Sequence, residues 1–119
     1  MQWSELTDLN QLEQISRESS ERKVLIFKHS TRCSVSRAVL DRLERSWSRE
    51  EMEMVKPYFL DLINHRQISN AIEEKFGIEH ESPQLIIVEK EKAVYAQSHF
   101  GIHYADLKKV IKSQTEQSA

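Results

Sequence analysis

The sequence predicts an α/β protein: a three-layer α/β/α sandwich around a mixed central sheet. Short apolar runs without polar alternation mark strands covered on both faces. The segments between them carry apolar residues at helical spacing. The length of 119 residues allows one ordinary domain and not two.

Leu6, Leu9, Leu12 and Ile15 recur every three residues, which predicts an amphipathic helix over about 8–19 with Thr7 as N-cap and Asp8 in its first turn. Residues 24–28 (Val-Leu-Ile-Phe-Lys) follow as a central strand. A second helix is predicted from near Cys33 to near Trp47. It buries Val39, Leu40, Leu43 and Trp47 and leaves Arg37, Asp41, Glu44 and Arg45 to water. The next strand is expected over 58–63, with Pro57 at its start, where a missing N–H does least harm.

Ile68, Ile72 and Phe76 mark a third helix, which Gly77 is placed to end in a left-handed conformation. Residues 84–88 and 93–96 read as a hairpin around the charged turn Lys90-Glu91. A last helix carries Leu107, Val110 and Ile111 on one face, with Lys108, Lys109 and Lys112 towards its end. Strands separated by helices should run parallel through right-handed crossovers, and the closing hairpin antiparallel.

Lys and Arg number 17 against 19 Asp and Glu, a formal net charge of −2. That balance argues against a partner gripped through phosphates, so no nucleic acid is expected. No apolar run approaches the ~20 residues needed to span a bilayer, so no membrane association is expected. The opening residues lack a basic region followed by an apolar stretch, which makes the cytoplasm the expected location. No repeat or linker interrupts the chain. One domain is expected over 1–112, with a frayed tail at 113–119.

The single cysteine, Cys33, excludes an internal disulfide and a multi-thiolate metal cage within one chain. Any chemistry at Cys33 is that of a monothiol. Its predicted place is the C-terminal end of the central strand and the start of the second helix. Ligands meet open α/β sheets at such strand ends. A helix N-terminus presents free N–H groups and a positive dipole end, which favour a thiolate. Arg32, His29 and Arg37 add positive charge, and Ser34 and Ser36 are expected to offer hydrogen bonds to the sulfur. A lone cysteine is more often a small core residue. Here its neighbours Ser30, Thr31, Arg32 and Ser34 are polar, which points to reactivity instead.

Ser82-Pro83 opens the first strand of the hairpin. Such a dipeptide serves equally as edge punctuation. A cis bond there would push the loop towards Cys33, where the Ser82 backbone could pair with an extended substrate segment.

Strand, cysteine at a helix start and Pro-opened hairpin together resemble the thioredoxin fold over nearly the whole chain. Phe27-Lys28-His29-Ser30-Thr31-Arg32-Cys33-Ser34-Val35-Ser36 resembles the YtxJ-type monothiol bacilliredoxins, in which Thr-x-Cys-x-x-Ser follows a Phe-Lys-His strand end. The resemblance implies a thiol–disulfide oxidoreductase acting on mixed disulfides between protein cysteines and a low-molecular-weight thiol, bacillithiol in Gram-positive bacteria. It implies Cys33 as nucleophile and Pro83 as the fold's cis-proline. Thr31, Arg32, Ser36, Ser82 and Pro83 are the expected substrate-binding residues. Ser36 stands where dithiol relatives hold a resolving cysteine, and Ser34 departs from the proline of many members. The implied partners are S-thiolated client proteins, the small thiol as co-substrate and a recycling reductase, with no tightly bound cofactor.

Rival readings remain at this level. A non-enzymatic thioredoxin-like binding module would show slow alkylation of Cys33. Monothiol glutaredoxins that carry iron–sulfur clusters have Gly-Phe where this chain has Ser34-Val35. Peroxiredoxins place Thr three residues before Cys, whereas Thr31 is two before Cys33. His99 and His103 are separated by Gly101, so no metal site is expected from them.

Overall fold

Six consecutive buried residues, Val24–His29, form the centre of the sheet (β2) in the computed structural model, which describes residues 3–112. The tail expected at 113–119 lies outside the described residues. Along the chain, β1 (Ser4–Glu5), α1 (Gln11–Glu18), β2, α2 (Ser34–Ser46), β3 (Lys56–Asp61) and α3 (Arg66–Phe76) come first. They are followed by β4 (Gln84–Glu89), β5 (Lys92–Ser98), a short 3-10 turn (His99–Gly101) and α4 (Tyr104–Lys112).

The sheet order is β1-β3-β2-β4-β5. β1, β3 and β2 run parallel, while β4 is antiparallel to β2 and β5 to β4. The crossover from β1 to β2 and the return from β2 to β3 move in opposite directions across the sheet. Crossovers of one hand then place α1 and α2 on opposite faces. The core divides accordingly. Val24 and Ile26 of β2 pack with Leu12 and Ile15 of α1 and with Ile68 and Ile72 of α3. Leu25 and Phe27 pack with Val39 and Leu43 of α2 and with Leu107 of α4. The three-layer mixed-sheet architecture is as expected. No helix among the described residues is long and apolar enough to cross a membrane.

Several boundaries differ from expectation. β1 was not foreseen, because two residues carry no periodicity. Its Ser4 and Glu5 pair with Tyr58 and Phe59, and the Leu6 N–H donates to the Phe59 carbonyl at 2.8 Å. Thr7 is not an N-cap: α1 starts at Gln11, whose Oε1 accepts the Thr7 and Asp8 N–H groups at 2.8 and 3.0 Å. That side chain folds the preceding segment into a turn, so Leu6 and Leu9 lie outside the helix.

β3 sits two residues earlier than predicted, with Pro57 inside it. The Lys56 N–H is used on the Lys23 carbonyl at 3.1 Å. By strand alternation the missing Pro57 N–H falls on the other side, where β1 pairs only Tyr58 and Phe59.

Lys90 and Glu91 form the two-residue hairpin turn, with φ of 52° and 65°. The buried Ser19 holds this turn from the end of α1. Its carbonyl accepts the Lys90 N–H at 2.7 Å and its hydroxyl oxygen the Glu91 N–H at 2.9 Å. Gly77 ends α3 with φ of 71°, as expected.

Candidate active site

β2 ends at His29 and α2 begins at Ser34, so the connection Ser30-Thr31-Arg32-Cys33 turns the chain at the C-terminal edge of the parallel strands. Thr31 and Arg32 are exposed and Cys33 is half-buried. Cys33 is the N-cap of α2 in extended conformation, φ −106° and ψ 118°. Its N–H donates to the Ser30 carbonyl, and its carbonyl accepts the Arg37 N–H, both at 3.1 Å. The free thiol therefore stands at the positive end of a helix thirteen residues long.

Ser36 corrects the sequence reading. It is fully buried rather than presented to a substrate. Its hydroxyl is not set aside for the sulfur either: it lies 2.7 Å from His29 Nδ1, and its oxygen accepts the Ser30 N–H at 3.1 Å. One helical turn carries it inward from Cys33, towards the sheet.

His29 closes β2 on the α2 face and is buried. Its ring packs 5.4 Å from Phe59 and 6.2 Å from Phe27, centroid to centroid, and Trp3 packs on both phenylalanines. Burial holds its pKa below the ordinary imidazole value. Asp61, its register partner on β3, pulls the other way, Arg37 adds to the lowering and Glu44 opposes it. The sequence reading counted His29 as local positive charge and as part of the Phe-Lys-His strand end, without assigning it a role at the site. The signal for more was a histidine close behind the four apolar residues Val24 to Phe27, at the end of a strand covered on both faces.

The Ser82-Pro83 bond is cis and Pro83 is buried. The β2–β4 ladder ends at the pair Lys28 and Gln84. Pro83 thus lies one residue beyond it, beside His29 and the turn that leads to Cys33. Its carbonyl accepts the His99 N–H at 2.9 Å, and the Ser98 hydroxyl donates to the Glu81 carboxylate. Ser82 is half-buried. The fold brings Thr31, Arg32, Cys33 and the Ser82-Pro83 bend to one edge of the sheet, and adds Glu81, Ser98 and His99, which sequence reasoning missed. His99 stands there with φ of 54°, a conformation that no sequence pattern announced. Among the described residues, no group of three or more His, Cys, Asp or Glu is placed to hold a metal ion.

The architecture is that of known thioredoxin-fold proteins. A candidate oxidoreductase with a thioredoxin fold is 28% identical, with a TM-score of 0.74 over 87% of this chain and 88% of the other. Thioredoxin from Trypanosoma brucei brucei superposes with a TM-score of 0.73 at 17% identity, covering 94% and 93% of the two chains. Malassezia sympodialis thioredoxin gives 0.71 at 17%, covering 99% and 92%. The last two show the fold alone. At the level of families, the match is to monothiol bacilliredoxin BrxC over residues 4–107, a span that holds His29, Thr31, Arg32, Cys33, Ser36 and the Ser82-Pro83 bend.

Proposed function

The chain belongs to the monothiol bacilliredoxin family and is a thiol–disulfide oxidoreductase, and from that premise we propose that it removes a low-molecular-weight thiol of bacillithiol type from protein mixed disulfides. The observation that carries this reading is the half-exposed Cys33 at the α2 N-cap, with a buried serine one turn on where a second thiol would sit.

The Cys33 thiolate attacks the small-thiol sulfur of a protein–S–S–R bond. A new Cys33–S–S–R bond forms as the old one breaks, and the client leaves as a thiolate that takes up a proton. The client is reduced by two electrons and Cys33 is oxidised by two. Ser36 has no sulfur with which to displace R. A second small thiol, or a separate reductase, therefore attacks the adduct and returns Cys33 to the thiolate. Arg32 and Thr31 line the exposed side of the site, and the Ser82-Pro83 bend borders the other. A client segment in extended conformation fits that border through backbone pairing at Ser82. The partners are S-thiolated clients, the small thiol and a recycling reductase. The single unpaired cysteine suits a reducing compartment such as the cytoplasm.

Intact mass spectrometry after mixing reduced protein with a client carrying bacillithiol, glutathione or coenzyme A tests the reading. One adduct on Cys33, with the client returned to its free-thiol mass, is the expected result. Absence of any adduct from all three clients would leave a non-enzymatic module.

A further inference from the structure

Hydrogen bonds run in one chain from the sheet to the cysteine. His29 Nδ1 lies 2.7 Å from Ser36 Oγ. That oxygen accepts the Ser30 N–H at 3.1 Å, and the Ser30 carbonyl accepts the Cys33 N–H at 3.1 Å. A hydroxyl has one hydrogen to give, and with its oxygen accepting from Ser30 that hydrogen is available to Nδ1 whenever the ring is neutral and carries its proton on Nε2.

The surroundings hold the ring in this role. Phe27 and Phe59 pack against it, and the backbone on both sides of His29 is fixed by the β2–β3 ladder and by the Leu62 N–H on the His29 carbonyl at 2.9 Å. The charged groups that act on it are Asp61 from β3 and Arg37 and Glu44 from α2.

We propose that His29 is a positioning residue for Cys33: by accepting the Ser36 hydroxyl it fixes Ser30, and through Ser30 it fixes the N-cap placement of the nucleophile. The inference rests on Cys33 being the reactive thiol and adds the residue that sets its geometry. Protonation of His29 puts a hydrogen on Nδ1, so two donors face each other. The Ser36 hydrogen then has to turn away, and its oxygen is shared between Nδ1–H and the Ser30 N–H, which weakens the hold on Ser30. Cys33 reactivity therefore carries an additional step on its acid side that belongs to His29.

The test is the pH profile of Cys33 alkylation by iodoacetamide, on full chains whose fold is checked by circular dichroism. The variants are His29→Leu, His29→Asn and Ser36→Ala. Asparagine offers a non-titrating amide oxygen near the place of Nδ1. Near neutral pH, His29→Leu and Ser36→Ala should react about five- to tenfold more slowly, as expected for one lost hydrogen bond, and His29→Asn within about twofold of wild type. The added acid step should vanish in His29→Asn. Wild-type rates in a folded His29→Leu or Ser36→Ala overturn the inference, as does a His29→Asn variant as slow as His29→Leu. Should His29→Leu not fold, the other two variants decide. Alkylation needs neither client nor small thiol. A wild-type protein that alkylates with this profile yet clears no mixed disulfide would sink the proposed function and leave the role of His29 standing.

Discussion

Lys28 Nζ lies 3.5 Å from His80 Nδ1, at the outer limit of a hydrogen bond. Lys28 is fully buried, and strand alternation turns it to the α1–α3 face of the sheet, away from its neighbour His29. Ser69 of α3 reaches the same His80 nitrogen at 3.1 Å. Burial pulls the Lys28 pKa down to about 8, against an opposing pull from Glu73. His80 is likewise held below the ordinary imidazole value, by burial first and then by Lys28 and Arg66.

Stability should therefore depend on pH through Lys28. The ordinary lysine value is 10.5 and the folded value about 8. At pH values below the folded one, both states are charged and the fold bears the desolvation cost. Between the two values the folded state releases its proton first, so stability rises with pH, and the gain is complete above the upper one. Tyr58 opposes this. Burial and its hydrogen bond to Glu18 raise its pKa, so its contribution is lost as pH climbs past the ordinary 10.0. Comparison with Lys28→Met isolates the lysine. The variant should be more stable by about 1 kcal/mol at neutral pH, with the advantage shrinking in alkaline buffer. A stability difference constant across this range in denaturant titrations would refute the assignment.

Cys33→Ser should abolish transfer of the small thiol while leaving thermal unfolding unchanged, since a half-exposed N-cap tolerates a hydroxyl. Ser36→Cys should allow an internal disulfide with Cys33 on oxidation, read as the loss of two hydrogens in intact mass. A protein that stays fully reduced under oxidant would contradict the helix-start geometry.

The closing hairpin offers two substitutions of opposite sign. Glu91→Gly should stabilise by about 0.5–1 kcal/mol, because glycine takes positive φ without steric cost. Ser19→Ala should destabilise by about 1 kcal/mol, because it leaves the Glu91 N–H without its partner. Urea midpoints moving the same way for both would rule out the described turn.

Gly77→Ala should cost about 1 kcal/mol. An added Cβ meets nothing within 4 Å, so the cost is conformational, arising from φ of 71°. A variant equal to wild type in calorimetry would mean that the end of α3 relaxes without penalty.

The sheet and its helices were legible because their signal is collective. Val24 to Lys28 carries no polar interruption until its end, and Val39, Leu43 and Trp47 repeat at helical spacing. Cys33 was legible for the same reason, since its place follows from where a strand stops and a helix starts. What escaped depended on single side chains. Gln11 moved the start of α1 by accepting two amides. Ser36 turned inward to lie 2.7 Å from His29 Nδ1, a partner that only the folded chain brings to it. Lys28 and His29 read as a polar strand end, and the fold buries both, one on each face of the sheet.

The position of β2 bears on how the protein is made. This strand is synthesised early, yet its ladder partners are β3 on one side and β4 on the other, the latter only after two further helices. Until Glu89 has left the ribosome, one long side of this apolar segment has amides and carbonyls without partners. Such a side recruits strands from other chains, and closing it requires contacts between distant parts of the polypeptide, which form slowly. A stalled translation product ending before Gln84 would be a sticky fragment, whereas a chain that reaches Glu89 seals the exposed flank with its own residues.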